Sequence, residues 1–106
     1  MVGALVRTRV ASNGSMVVQV RGHVGEAATA QLRRALLHAL LRVRSHRLVV
    51  DLRGAGWVDP LGVGAVVAGC EVASDRSVLV VVHRPKHGVA RRLRAAGLPG
   101  SALQRR

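Results

Sequence analysis

Apolar and polar residues alternate from Leu5 to Val10, with Leu5, Arg7 and Arg9 on one side and Val6, Thr8 and Val10 on the other. That period of two predicts an edge-like strand. Ser12-Asn13-Gly14-Ser15 follows, and its Asn-Gly pair suits a tight hairpin turn. Met16 to Arg21 predicts the second strand, ended by Gly22. From Glu26 to Val43 the period changes. Leu32, Leu36, Ala39, Leu40 and Val43 recur at helical spacing, with Arg33, Arg34, Arg42 and Arg44 off that stripe. Glu26 in the first turn and arginines toward the end complement the helix dipole.

Arg47 to Leu52 is a short Val-rich run that predicts a central strand, after which Gly54 and Gly56 are expected to loosen the chain before Trp57-Val58. Asp59-Pro60 signals a helix start: Asp caps free N–H groups, and proline at the first helical position has no N–H to lose. The helix from Leu61 to Ala73 carries Gly62, Gly64 and Gly69. Each costs roughly 1 kcal/mol against alanine, tolerable where a helix lies close to a sheet. Ser77 to His83 predicts a buried strand; Val89, Leu93 and Ala96 mark a last helix, closed by Gly97 and Pro99. Gly100 to Arg106 shows no periodicity and is expected to form a basic tail outside a domain of residues 1–99. The order β-β-α-β-α-β-α predicts an α/β domain with a four-stranded mixed sheet, right-handed crossovers and helices mainly on one face.

Composition narrows this picture. With 106 residues, 49% of them apolar, the chain fits one domain with an ordinary core. No Phe or Tyr is present and only one Trp, so Val, Leu and Ala must fill that core. The single cysteine excludes an intramolecular disulfide framework. No apolar run reaches the ~20 residues of a membrane span, and the start lacks a signal-peptide core, so a cytoplasmic protein without membrane insertion is expected. The net charge is +12, and of the 17 basic residues only Lys86 is not arginine. A GC-rich coding bias explains the arginine preference but not the five acidic residues, so an anionic partner stays in view.

Catalytic chemistry finds little support. His23, His38, His46, His83 and His87 show no ligand-pair spacing such as i, i+4 on one helix, so no metal site is expected. Asp51 lies along a predicted buried strand, and no Ser or Cys is paired to a base by any motif. Cys70, among small residues on a helix, reads as a small buried hydrophobe. Gly62-x-Gly64 is not a dinucleotide fingerprint, because Val67 stands at the third glycine's place inside a helix. No enzyme and no cofactor is expected.

The element order and four segments together resemble the STAS domain, the fold of anti-sigma-factor antagonists, over nearly the whole chain. The segments are Val20-Arg21-Gly22-His23-Val24-Gly25, Leu48-Val49-Val50-Asp51-Leu52, Trp57-Val58-Asp59-Pro60-Leu61-Gly62-Val63-Gly64, and Pro85 with the helix Val89 to Leu98. In the family the third segment holds Asp-Ser-Ser-Gly-Leu-Gly, and a serine at the helix start is phosphorylated by a kinase-type anti-sigma factor. Phosphate fits a helix N-terminus, and the added charge ejects the partner. Here the two serines become Pro60 and Leu61, and no Ser or Thr lies between Arg53 and Cys70. Gly25 replaces the family's Asp before the first helix, and the chain stops before the last strand and helix of longer members could form. The resemblance therefore implies a non-phosphorylatable binding module. Its partner surface would be Gly22, His23, Gly25, Glu26, Trp57, Asp59, Pro60, Leu61 and Gly62.

Several of these residues have plainer roles. Asp59 serves as an N-cap, worth ~1 kcal/mol. Leu61 supplies ~1.5–3 kcal/mol if buried, at an interface or against its own sheet. Trp57 is expected in the core at the family's apolar position, with a partner anchor as the alternative. Three functional readings stand: a module binding an anti-sigma factor or related kinase-fold protein; a STAS subunit docking on the ATPase of a lipid-transport complex; or a basic domain binding nucleic acid or another anionic surface. Nucleic-acid binding would be weak and salt-dependent, for want of an aromatic platform.

Overall fold

Adjacent strands built from Val-rich segments lie side by side in chain order, and every crossover advances to the next neighbour. The computed structural model describes residues 4–43 and 45–104; Arg44, Met1 to Gly3 and the last two arginines of the tail lie outside the described residues. Strand β1 (Leu5–Val10) pairs antiparallel with β2 (Met16–Val24), from Leu5 opposite Arg21 to Val10 opposite Met16. The hairpin turn uses Gly14 at φ +86° and an Asn13 side chain that accepts from the Ser15 amide at 3.0 Å. Helix α1 (Glu26–Leu41), β3 (Arg47–Val58), α2 (Pro60–Asp75), β4 (Leu79–His83) and α3 (His87–Ala95) alternate after it. A short turn of helix, Gly100–Ala102, then leads into β5 (Leu103–Gln104).

The sheet order is β1-β2-β3-β4-β5, with every pair after the first parallel. Right-handed crossovers that always step the same way place all three helices on one face. The core agrees: Met16, Val18, Val20, Leu48, Val50, Leu52, Val80 and Val82 form one buried cluster with Leu32, Leu36 and Leu40 of α1, Val63, Val66 and Val67 of α2, and Val89 and Leu93 of α3. Alternate residues of each strand face the helices, as a period of two requires. No aromatic ring is needed, because β-branched side chains on a pleat interdigitate with leucines.

Several boundaries differ from the sequence expectation. Gly22 does not end β2, and Gly54 and Gly56 do not loosen the chain. Gln19 faces Asp51, Arg21 faces Gly54, and His23 faces Trp57, so β3 gains a residue on β2 at two places. These are bulges, where glycine is a fitting residue within a strand. Gly54 also lies close to β2, since a Cβ there would meet Arg21 Cγ at 2.9 Å. Helix α1 ends at Leu41 rather than Val43, and β4 begins at Leu79, because Ser77 takes φ +58° in the preceding turn. Helix α3 closes as expected, with Gly97 at φ +109° and Leu98 N–H donating back to Leu93 O at 2.9 Å.

The sheet has five strands, not four, and the fifth lies in the supposed tail. Leu103 pairs with Val82 and Gln104 with His83. Two residues are too few to display a period, so nothing local marks them. The free edge of β4 recruits them.

Candidate functional site

The ends of β2 and β3 and the start of α2 are tied together by the backbone. The Asp59 amide donates to Val24 O at 2.7 Å, carrying the parallel pairing one step past both strands. Asp59 then caps α2: its Oδ1 accepts from the Leu61 amide at 2.8 Å, and its carbonyl accepts from Val63 at 2.9 Å. Pro60 occupies the first turn.

Gly62 sets how closely this helix start approaches its neighbours. A Cβ there would meet Val58 Cγ1 at 2.8 Å and Thr29 Oγ1 at 3.0 Å. With Gly62 and Val63 facing inward, Leu61 must face outward, and it is 64% exposed. It does not pack against its own sheet. Leu61 stands at one end of an apolar groove of about 410 Å³ between α1 and α2, walled by Leu36, Leu37, Gly64, Ala68 and Val72. Among the described residues, Arg33 is the only charged one lining it.

Trp57 also departs from the sequence expectation. It is 38% exposed, not core. After the bulges Ala55 and Val58 point inward and Trp57 outward, opposite His23 on β2. The two rings stack with centroids 4.5 Å apart and planes 16° from parallel. The Arg92 guanidinium sits 5.3 Å from the Trp57 ring centre and donates to Val58 O. Arg92 belongs to this constellation although no sequence signal pointed to it; it lies 34 residues from Val58 on a helix of several arginines.

The remaining expected residues border the same region. Gly22 is exposed at φ +91°, and Glu26 is exposed in the first turn of α1. Gly25 is the N-cap of α1 and provides no side-chain bond, where the resemblance would place an aspartate. A Cβ at Gly25 would meet nothing within 4 Å, so packing does not demand glycine there. A hollow of about 300 Å³ beside it is lined by His23, Gly25 and Glu26.

Leu61 has no hydroxyl, and Thr29 Oγ1 behind the helix start is buried without a hydrogen-bond partner. Among the described residues no group of three His, Cys, Asp or Glu is placed to hold a metal. The Cys70 thiol is pushed up to about 11 by burial and secondarily by the Glu71 carboxylate, away from reactive thiolate. Asp51 is buried and accepts from the Arg53 amide at 3.0 Å, with the guanidinium 3.8 Å away. No described helix is long and apolar enough to cross a membrane.

The family model described as "Mlab, STAS domain" matches residues 8–105. Among solved structures, the anti-sigma factor antagonist SpoIIAA in its unphosphorylated form is 14% identical, with a TM-score of 0.72 over 82% of this chain and 79% of that one. The Bacillus cell fate determinant SpoIIAA in its phosphorylated form is 15% identical, with a TM-score of 0.80 over 94% and 89%. A serine-to-glutamate variant of RsbS from Moorella thermoacetica is 21% identical, with a TM-score of 0.76 over 92% and 82%. No curated protein matches the chain. At these identities the structural likeness concerns the fold.

Proposed function

The chain belongs to the STAS domain family, and from that premise we propose that it is a non-catalytic regulatory module that binds a kinase-type anti-sigma factor without a phosphorylation switch. The observation that carries this reading is Leu61, 64% exposed on a helix start that Asp59 caps and Gly62 holds against β3 and α1. SpoIIAA exists in phosphorylated and unphosphorylated forms. Here an apolar side chain stands where the resemblance places the modified serine, so the module stays in its binding form. Leu61 and Trp57 are the anchors, with Arg92 and His23 holding the indole in place. Burying Leu61 in a partner contributes roughly 1.5–3 kcal/mol.

The test is titration of this protein against kinase-type anti-sigma factors encoded beside it, with and without ATP. Micromolar binding that ATP does not abolish, and that Leu61→Glu weakens by about tenfold or more, is the expected result. Failure to co-elute with any of them, or ATP-dependent release, overturns the reading. One observation favours a second: the matching family model is itself described as "Mlab, STAS domain". On that reading the same surface docks on the ATPase of a lipid-transport complex. Co-purification with such an ATPase, lost on Leu61→Glu, decides for it.

A further inference from the structure

The sheet has two faces, and among the described residues the three helices pack on one. Strand alternation and register show what the other presents. One cross-strand row runs Arg9, Val17, Val49, Val81, and the next runs Arg7, Gln19, Asp51, His83, Gln104. Arg7, Arg9, Arg21 and Arg53 are exposed around these rows, and Arg47 lies half-buried beside them with its Nε lacking a hydrogen-bond partner. The carboxylate within the rows, Asp51, is 7% exposed and already engaged by Arg53. Two leucines stand out on this same side, Leu5 at 45% and Leu79 at 61% exposure.

We propose that this bare sheet face docks on the surface of an anionic lipid bilayer. Charge complementarity selects the occupant. A net charge of +12 sets a second copy against the first. Nucleic acid fits less well, because the two rows hold no Phe, Tyr or Trp, their imidazole, His83, is half-buried and hydrogen-bonded to Gln104, and Trp57 at the far end of β3 already carries His23 on its ring. Arginines lay their stems along apolar surface and raise their heads to phosphates, which suits this face, where Val17 is buried and half-buried Val49 and Val81 are flanked by guanidinium groups. Leu5 and Leu79 add apolar contact at the headgroup boundary. The proposal does not rest on the reading of the α2 start, since it uses other residues.

Co-sedimentation with vesicles of phosphatidylcholine containing about 30 mol % phosphatidylserine tests it, against vesicles of phosphatidylcholine alone. Binding to the anionic vesicles only, falling as salt shortens the screening length, is expected. Arg7→Glu with Arg9→Glu should weaken it by about thirtyfold or more, from roughly fivefold for each arginine removed near the surface. Arg7→Lys with Arg9→Lys should stay within about threefold, because the charge is kept. Arg91→Glu with Arg94→Glu removes the same charge from exposed positions of α3 and should have a small effect. Circular dichroism checks that each variant is folded. Equal weakening by the two charge reversals makes total charge the cause and overturns the proposal. So does absence of binding at low salt, or a short DNA duplex that binds through Arg7 and Arg9 more tightly than the vesicles do.

Discussion

Replacing Gly62 by alanine adds one methyl group at the point where α2 meets β3 and α1. That methyl carbon would lie 2.8 Å from Val58 Cγ1 and 3.0 Å from Thr29 Oγ1. Neither neighbour yields easily. Valine and threonine are β-branched with stiff χ1, Val58 sits in a paired strand, and Thr29 is buried in α1. The helix start must move, and overpacking of this kind costs about 1–3 kcal/mol. Against it stands the gain of alanine over glycine in a helix, at most ~1 kcal/mol. The net expectation is a loss of up to roughly 2 kcal/mol. Gly64, one half-turn further along the same helix, is the control. A Cβ there meets nothing within 4 Å, so Gly64→Ala should keep the helix gain and stabilise by up to ~1 kcal/mol. The two variants carry the same chemical change, yet should move the urea midpoint in opposite directions. Their melting temperatures should differ by about 4–15 °C, at roughly 4–5 °C per kcal/mol of overpacking for a domain this size. A Gly62→Ala protein as stable as Gly64→Ala would refute the close approach on which the exposure of Leu61 depends.

Asp59→Ala removes the side chain that caps α2 and should cost about 1 kcal/mol, read as a drop in melting temperature, while Asp59→Asn should restore most of it. Cys70 ionises near 11 in the folded protein against an ordinary value of 9.0. The folded state thus holds its proton longer than the unfolded chain, so the contribution is full below pH 9 and is lost between pH 9 and about 11. Thiol-specific labelling should turn on with a midpoint well above 9.0 in buffer and near it in urea; an unchanged midpoint would contradict burial as the cause. Ending the chain after Pro99 removes buried Ala102, half-buried Leu103 and the pairing to β4, and should cost about 2–3 kcal/mol in urea titration. A neutral truncation would return the segment to the status of a tail.

Much of the fold was legible because its signals are local. The Asn13-Gly14 turn, the leucine stripe of α1, the Asp59-Pro60 start of α2 and the Gly97 close of α3 depend on backbone chemistry that neighbouring residues dictate. Four short segments in the right order then sufficed for the family resemblance. The surface position of Leu61 was half legible. Its lack of a hydroxyl is plain in the sequence, but whether it faces the sheet or solvent depends on how Gly62 seats the helix.

The exposed leucine at the head of α2 shows where the division falls. Residue types and spacings determined by themselves the element order, the absence of a serine at that helix start, and the basic, aromatic-poor character of the chain. Only the tertiary structure decided that Gly54 pairs with Arg21 and Gly56 sits at a bulge inside one strand, that Trp57 stacks outward on His23 under Arg92, and that Leu103 and Gln104 complete the sheet. It also decided that the arginines of β1 to β3 share an uncovered face. The reason is the same in each case. A bulge, a stack or an added edge strand is a contact between segments far apart in the chain, and its free energy leaves no periodic trace in either one.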